Sequence, residues 1–191
     1  MSAHETLRAT RFLLPVLASA AFAAPAAAGQ TTIDLTYDSV MDMVRPDVHP
    51  GVKVHHSLEV VLSADNQVTE THNRNANGQS DKFAHEAALG GGGAQSYDPV
   101  WHVVSAGELV RTQNEVQSTR TITVTLTSPT TCSVAVKDEL KPGFTEYAFP
   151  RIGQHTTAYF TGYQVVGATC AIRSNVSMIS RIRAMRPSRR V

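Results

Sequence analysis

The sequence predicts an all-β fold: a single antiparallel β-sandwich or β-barrel-like meander followed by a short basic C-terminal helix or tail. Three observations carry that prediction. Apolar and polar residues alternate over many short segments, turn residues separate those segments roughly every 8 to 12 positions, and no convincing helical stripe lies between them. The chain divides into a cleaved signal peptide (residues 1–28), a leading arm (29–50), the antiparallel β domain (51–174) and the basic helix or tail (175–191).

The first segment has the layout of an export signal. Arg8 and Arg11 make a positive start against the single acid Glu5, residues 12–24 are uncharged and apolar, and Ala26-Ala27-Ala28 before Gly29 offers small residues for cleavage. A transmembrane helix fits less well, because residues 12–28 are 17 in number, Ala-rich and interrupted by Pro15 and Pro25. No cysteine stands near the cut to take a lipid, and no arginine pair marks a twin-arginine route. The predicted location is therefore periplasmic or extracellular. From Gly29 on the chain is formally neutral, with 15 bases and 15 acids, but residues 181–191 hold five arginines and no acid. An acidic body thus carries a basic end.

Residues 29–50 have little periodicity and two prolines, Pro46 and Pro50, so they read as an arm with one short strand at 31–37. Val52, Val54, His56, Leu58, Val60 and Leu62 then share one strand face, with Lys53, His55, Ser57 and Glu59 on the other. A turn at 64–67, a polar strand at 68–73 and the turn Asn77-Gly78 follow. Residues 82–89 read as a strand, and Gly90 to Gly93 as a flexible connector, since no helix or Lys-Ser/Thr follows to make a phosphate-binding loop.

Ala106-Gly107 joins the strands 100–105 and 108–114. A two-residue loop there would set Val103 against Val110, Trp101 against Thr112 and His102 against Arg111. In the next hairpin, Ile122, Val124 and Leu126 alternate with threonines, and a loop at 128–130 sets them opposite Val136, Val134 and Cys132. Lys141-Pro142-Gly143-Phe144 is a turn, and strands follow at 145–149, 156–163 and 169–173. Cys132 and Cys170 both face inward in this reading, so a disulfide is expected in an exported chain. The immunoglobulin pattern fails because Trp101 precedes both cysteines. After Ser174-Asn175, Met178, Ile179, Ile182 and Met185 fall on one helical stripe flanked by arginines, ended by Pro187.

No hydrolase elbow, zinc motif or calcium loop is present. His55 and His56 point to opposite faces of one strand and cannot easily share a metal, so His56 reads as a hydrogen-bonded core histidine, and no metal or other cofactor is expected. The ligand-binding candidates are His102 with Arg111, whose guanidinium forks suit an anion, and the late aromatics Tyr147, Tyr159 and Tyr163. Arg181, Arg183, Arg186, Arg189 and Arg190 are candidates for docking to an anionic membrane surface; nucleic acid is not expected for an exported protein with an acidic body. The sequence favours an exported, non-catalytic β domain that binds a ligand or an envelope partner. The alternatives are a hydrolase assembled from residues such as His102, Asp98 and a serine, and a structural envelope protein held at an anionic surface by its tail.

Overall fold

Side-chain alternation along ten strands sorts the chain into two antiparallel sheets, in a computed structural model that describes residues 30–43, 51–91, 95–105, 107–128, 130–154 and 156–174. The strands are β1 (Thr31–Met43), β2 (Val52–Leu62), β3 (Gln67–Ala76), β4 (Gln79–Ala88), β5 (Val100–Ser105), β6 (Glu108–Asn114), β7 (Ser118–Leu126), β8 (Cys132–Leu140), β9 (Tyr147–Pro150) and β10 (Thr157–Ser174). The larger sheet has the order β4-β3-β2-β1-β10-β9 and the smaller the order β5-β6-β7-β8. One sheet is curled into a half-barrel. The all-β antiparallel prediction therefore holds, while the predicted basic helix or tail at 175–191 and the signal peptide at 1–28 lie outside the described residues.

Two meanders account for the layout. Strands β1 to β4 run as successive hairpins, with Asn77 and Gly78 at φ 52° and 77° making the tight turn between β3 and β4. The chain crosses to the second sheet for β5 to β8, then returns through Lys141-Pro142-Gly143-Phe144. There Gly143 at φ 89° and the Phe144 N–H to Lys141 O bond of 3.1 Å make a turn with Pro and Gly in the central positions. A bridge from Thr131 to Ala171 and the disulfide Cys132–Cys170, with Cα atoms 5.5 Å apart, join β8 to β10 along one side. A disulfide across 38 positions stabilises the fold by about 4 kcal/mol in the chain-entropy account. It is compatible with an exported protein.

Three sequence expectations are corrected. Residues 29–50 are not merely a leading arm: Thr31–Met43 is a 13-residue strand between β2 and β10, and Thr31, Ile33, Leu35, Tyr37, Ser39 and Met41 are all buried. The period of two shown by Ile33, Leu35 and Tyr37 is interrupted beyond residue 37, where the polar Ser39 faces inward and Val40 outward. The strands expected at 156–163 and 169–173 are one 18-residue strand, which survives Gly167 because a bulge at φ 64° absorbs the extra residue between the pairs Thr36–Thr169 and Asp38–Val166. In the β5–β6 hairpin a bulge between Val103 and Ser105 shifts the register by one, so Trp101 faces Arg111 and His102 faces Val110. The β7–β8 register is as predicted, with Leu126–Cys132, Val124–Val134 and Ile122–Val136 opposed.

The interior is layered. One apolar cluster, centred on Ile33, Leu35, Val60, Leu109, Ile122 and Val124, fills the end nearest the disulfide. A second, with Met41, Val54, Phe149, Ile152 and Phe160, fills the other end. Between them, along β1, β2, β3 and β7, the inward positions turn polar: Ser39, His56, Glu70 to Arg74, and Arg120.

Candidate functional site

Strand alternation dictates which polar groups enter this belt. On β3, Val68 and Ala76 face inward, so the residues of the same parity between them, Glu70, His72 and Arg74, are carried inside with them. On β6 the inward Leu109 brings Arg111, and on β7 the inward Ile122 brings Arg120.

Buried charges persist only when paired, and these are. Arg111 donates from Nε to Glu70 Oε2 at 2.8 Å and from Nη2 to Glu70 Oε1 at 2.7 Å, while Trp101 Nε1 donates to Oε2 at 2.8 Å. Arginine and carboxylate are 1% and 2% exposed. Burial opposes ionisation of Glu70, but the Arg111 charge and the donors from Arg111 and Trp101 outweigh it and hold the carboxyl below its ordinary range. Arg120 donates from Nε and Nη2 to Asp138 Oδ2, both at 3.0 Å, and its guanidinium lies over the Phe149 and Tyr163 rings, 5.1 and 5.6 Å from their centroids. Arg74 donates to Asp81 at 2.7 Å and lies 4.8 Å from the centroid of Phe83.

A serine and two histidines form a chain through the belt. Ser39 Oγ is 2.8 Å from His56 Nε2, and His56 Nδ1 is 3.0 Å from His72 Nε2. Tyr37 stacks on the His56 ring at 4.3 Å. The connectivity resembles a serine nucleophile with its base, but the energetics oppose that chemistry. Burial, reinforced by the charges of Arg120 and Arg74, pushes the His56 pKa down to about 2, and burial with Arg111 pushes His72 well below its usual value. A histidine this reluctant to charge is a poor acceptor for a serine proton at neutral pH.

Two cavities flank the belt. The smaller, about 160 Å³, reaches Ser39, His56, Arg120 and Phe160. The larger, a cleft of about 380 Å³, is walled by Phe83 and His85 of β4, Tyr97 and Pro99 of the β4–β5 connection, and Arg111 and Arg74. That volume falls among ordinary small-ligand pockets. On the cleft, Arg111 Nη1, Arg74 Nε and His85 Nε2 are buried atoms without a hydrogen-bond partner among the described residues. Among the described residues no group of three or more His, Cys, Asp or Glu is arranged to hold a metal.

The predicted site residues are thus separated. Arg111 lies on the cleft, whereas His102 faces Val110 on the outward side of β5, which removes the expected His102–Arg111 anion pair; the bulge that shifts the register is the cause. Tyr147 and Tyr163 sit together with rings 5.7 Å apart, part of the cluster that also contains Phe149. Tyr159, 47% exposed, points the opposite way. Asp98 lines the cleft, but His102 does not, so the hydrolase constellation is not brought together there. Arg181, Arg183, Arg186, Arg189 and Arg190 lie outside the described residues. Sequence reasoning missed Glu70, Arg74 and Arg120. Their parity with flanking inward hydrophobes was the signal that could have found them.

No protein-family model, curated protein or solved structure matches the chain, so site and fold rest on its own residues.

Proposed function

We propose that the mature protein is an exported, non-catalytic β-sandwich that binds a small ligand in the cleft beside β4, and that the ligand is an organic carboxylate with an apolar or aromatic body. The observation carrying this reading is the Arg111 guanidinium. It is buried and fixed on Glu70 through two of its nitrogens, yet its third, Nη1, has no partner among the described residues. Leaving a buried donor unpaired costs about 1–3 kcal/mol, more for a charged group. Arg74 Nε and His85 Nε2 share the condition on the same cleft. A carboxylate supplies two oxygens with lone pairs to spare, and Phe83, Tyr97 and Pro99 offer its body an apolar wall. The depressed pKa of His56 supports binding over hydrolysis. The charge and apolar pattern of residues 1–28, together with the disulfide, supports export.

The test is calorimetric titration and thermal shift with benzoate, phenylacetate and octanoate, each beside its amide. At least one acid should bind and raise the melting temperature while its amide does not. Tyr97→Ser, at an exposed loop position, should weaken that binding with the fold intact. Absence of binding by every acid at millimolar concentration would overturn the proposal, and equal binding by the amides would overturn the carboxylate class.

A further inference from the structure

Four strands end the two sheets, and three of them are blunted. β9 has only four residues and ends in Pro150, β5 carries a bulge, and β8 is tied to β10 by the Thr131–Ala171 bridge and the disulfide. β4 is different: ten residues long, in unbroken register with β3, and paired with no other strand among the described residues.

The turn fixes which of its peptide groups look outward. A two-residue Asn77-Gly78 loop makes Ala76 and Gln79 a hydrogen-bonded pair, so the β4 residues bonded to β3 are Gln79, Asp81, Phe83, His85 and Ala87. The N–H and C=O groups of Ser80, Lys82, Ala84, Glu86 and Ala88 therefore point away from the sheet. The same five side chains are exposed on one face. Their cross-strand neighbours on β3, Asn73 for Lys82 and Thr69 for Glu86, are uncharged. Neither Lys82 nor Glu86 has an ion pair among the described residues.

We propose that the free edge of β4 pairs antiparallel with β4 of a second copy of this chain about a two-fold axis at Ala84. That register sets the outward-pointing peptides of Ala84 against each other and places Lys82 of each copy directly opposite Glu86 of the other, making two symmetric ion pairs. It also sets Phe83, 48% exposed, against His85 of the second copy. A two-fold at Lys82 or at Glu86 would instead oppose like charges. A lone charge on an edge strand guards it against pairing; this spacing makes the edge selective for itself. Phe83, Ala84 and His85 also line the cleft, but the pairing rests on the outward peptide groups of β4 and on Lys82 and Glu86, which do not line it.

The experiment is sedimentation equilibrium of the full mature chain over a range of concentrations, with circular dichroism to confirm folding. The wild type should show a monomer–dimer equilibrium weakened by salt. Lys82→Glu alone and Glu86→Lys alone should each raise the dissociation constant roughly tenfold or more, because two attractive pairs become two repulsive ones. The combined swap, Lys82→Glu with Glu86→Lys, should restore dimerisation. A wild type that stays monomeric throughout overturns the proposal. So does a dimer indifferent to the single reversals, or a double swap that stays as weak as its parents.

Discussion

Lowering the pH from 7 to 5 should destabilise this protein through two histidines. The native state keeps His56 neutral down to about 2 and His72 neutral well below 6.5, whereas in the unfolded chain both titrate near 6.5. Between those values the unfolded state binds more protons than the native one, so stability falls as the pH falls. Well below 6.5 each such group contributes a slope of about 1.4 kcal/mol per pH unit. Integrated from pH 7 to 5, that is about 2 kcal/mol for His56, and His72 adds a loss of the same sign, against the ~5–15 kcal/mol typical of a domain. The carboxylates held low in the native state, Glu70, Asp38 and Asp65, add their own loss as the pH falls through the carboxylate range, below this window. Urea unfolding followed by the fluorescence of Trp101, the single tryptophan, measures the effect at each pH. His72→Gln should reduce the slope between pH 6 and 5, and the double variant with His56→Gln should reduce it further. A double variant with the wild-type pH dependence would refute the reasoning, as would a wild type equally stable at both pH values.

Glu70→Gln should cost about 3–5 kcal/mol in urea unfolding at pH 7, because it strands the Arg111 charge in the interior, whereas Trp101→Phe, followed by circular dichroism because it removes the single tryptophan, takes away one donor to that carboxylate without stranding a charge and should cost less through this contact. Replacing Cys132 and Cys170 by serine should lower stability by about 4 kcal/mol, and a wild type equally stable with and without reductant would contradict the closed-loop account. Gly167→Ala should cost about 1 kcal/mol from backbone strain alone, since an added Cβ at φ 64° meets nothing within 4 Å. Deleting residues 176–191 removes none of the described contacts and should leave the melting temperature unchanged; cosedimentation with anionic vesicles should drop, and equal binding by the truncated chain would exclude the docking role read from its arginines.

What the residues revealed in advance depended on contrast between the two faces of a strand. β7 alternates Ile122, Val124 and Leu126 with threonines, and its pairing with β8 was legible to the residue. β3 offers no such contrast, because Glu70, His72 and Arg74 on the inner face are as polar as Thr69, Thr71 and Asn73 on the outer. A buried charge is invisible to hydrophobic periodicity, and its partner lies on another sheet: Glu70 meets Arg111 across 41 positions. The site was lost at one further point. A single bulged residue in β5 moved Arg111 from opposite His102 to opposite Trp101, and nothing in the composition of 100–105 distinguishes a bulged strand from a regular one.

The pairing of β1 with β10 sets when this molecule can come into being. The strands that sit side by side in the middle of the larger sheet are the first and last of the described chain, joined from Thr31–Ser174 to Met43–Phe160. Until β10 is available, the inward row of β1 has a neighbour on one side only, β9 has nothing to pair with, and Cys132 lacks its partner. Closure across so long a stretch is entropically slow. A chain delivered from its amino end would thus remain open and threadable until almost all of it had arrived, and would then complete its sheet and its covalent bond in the same place.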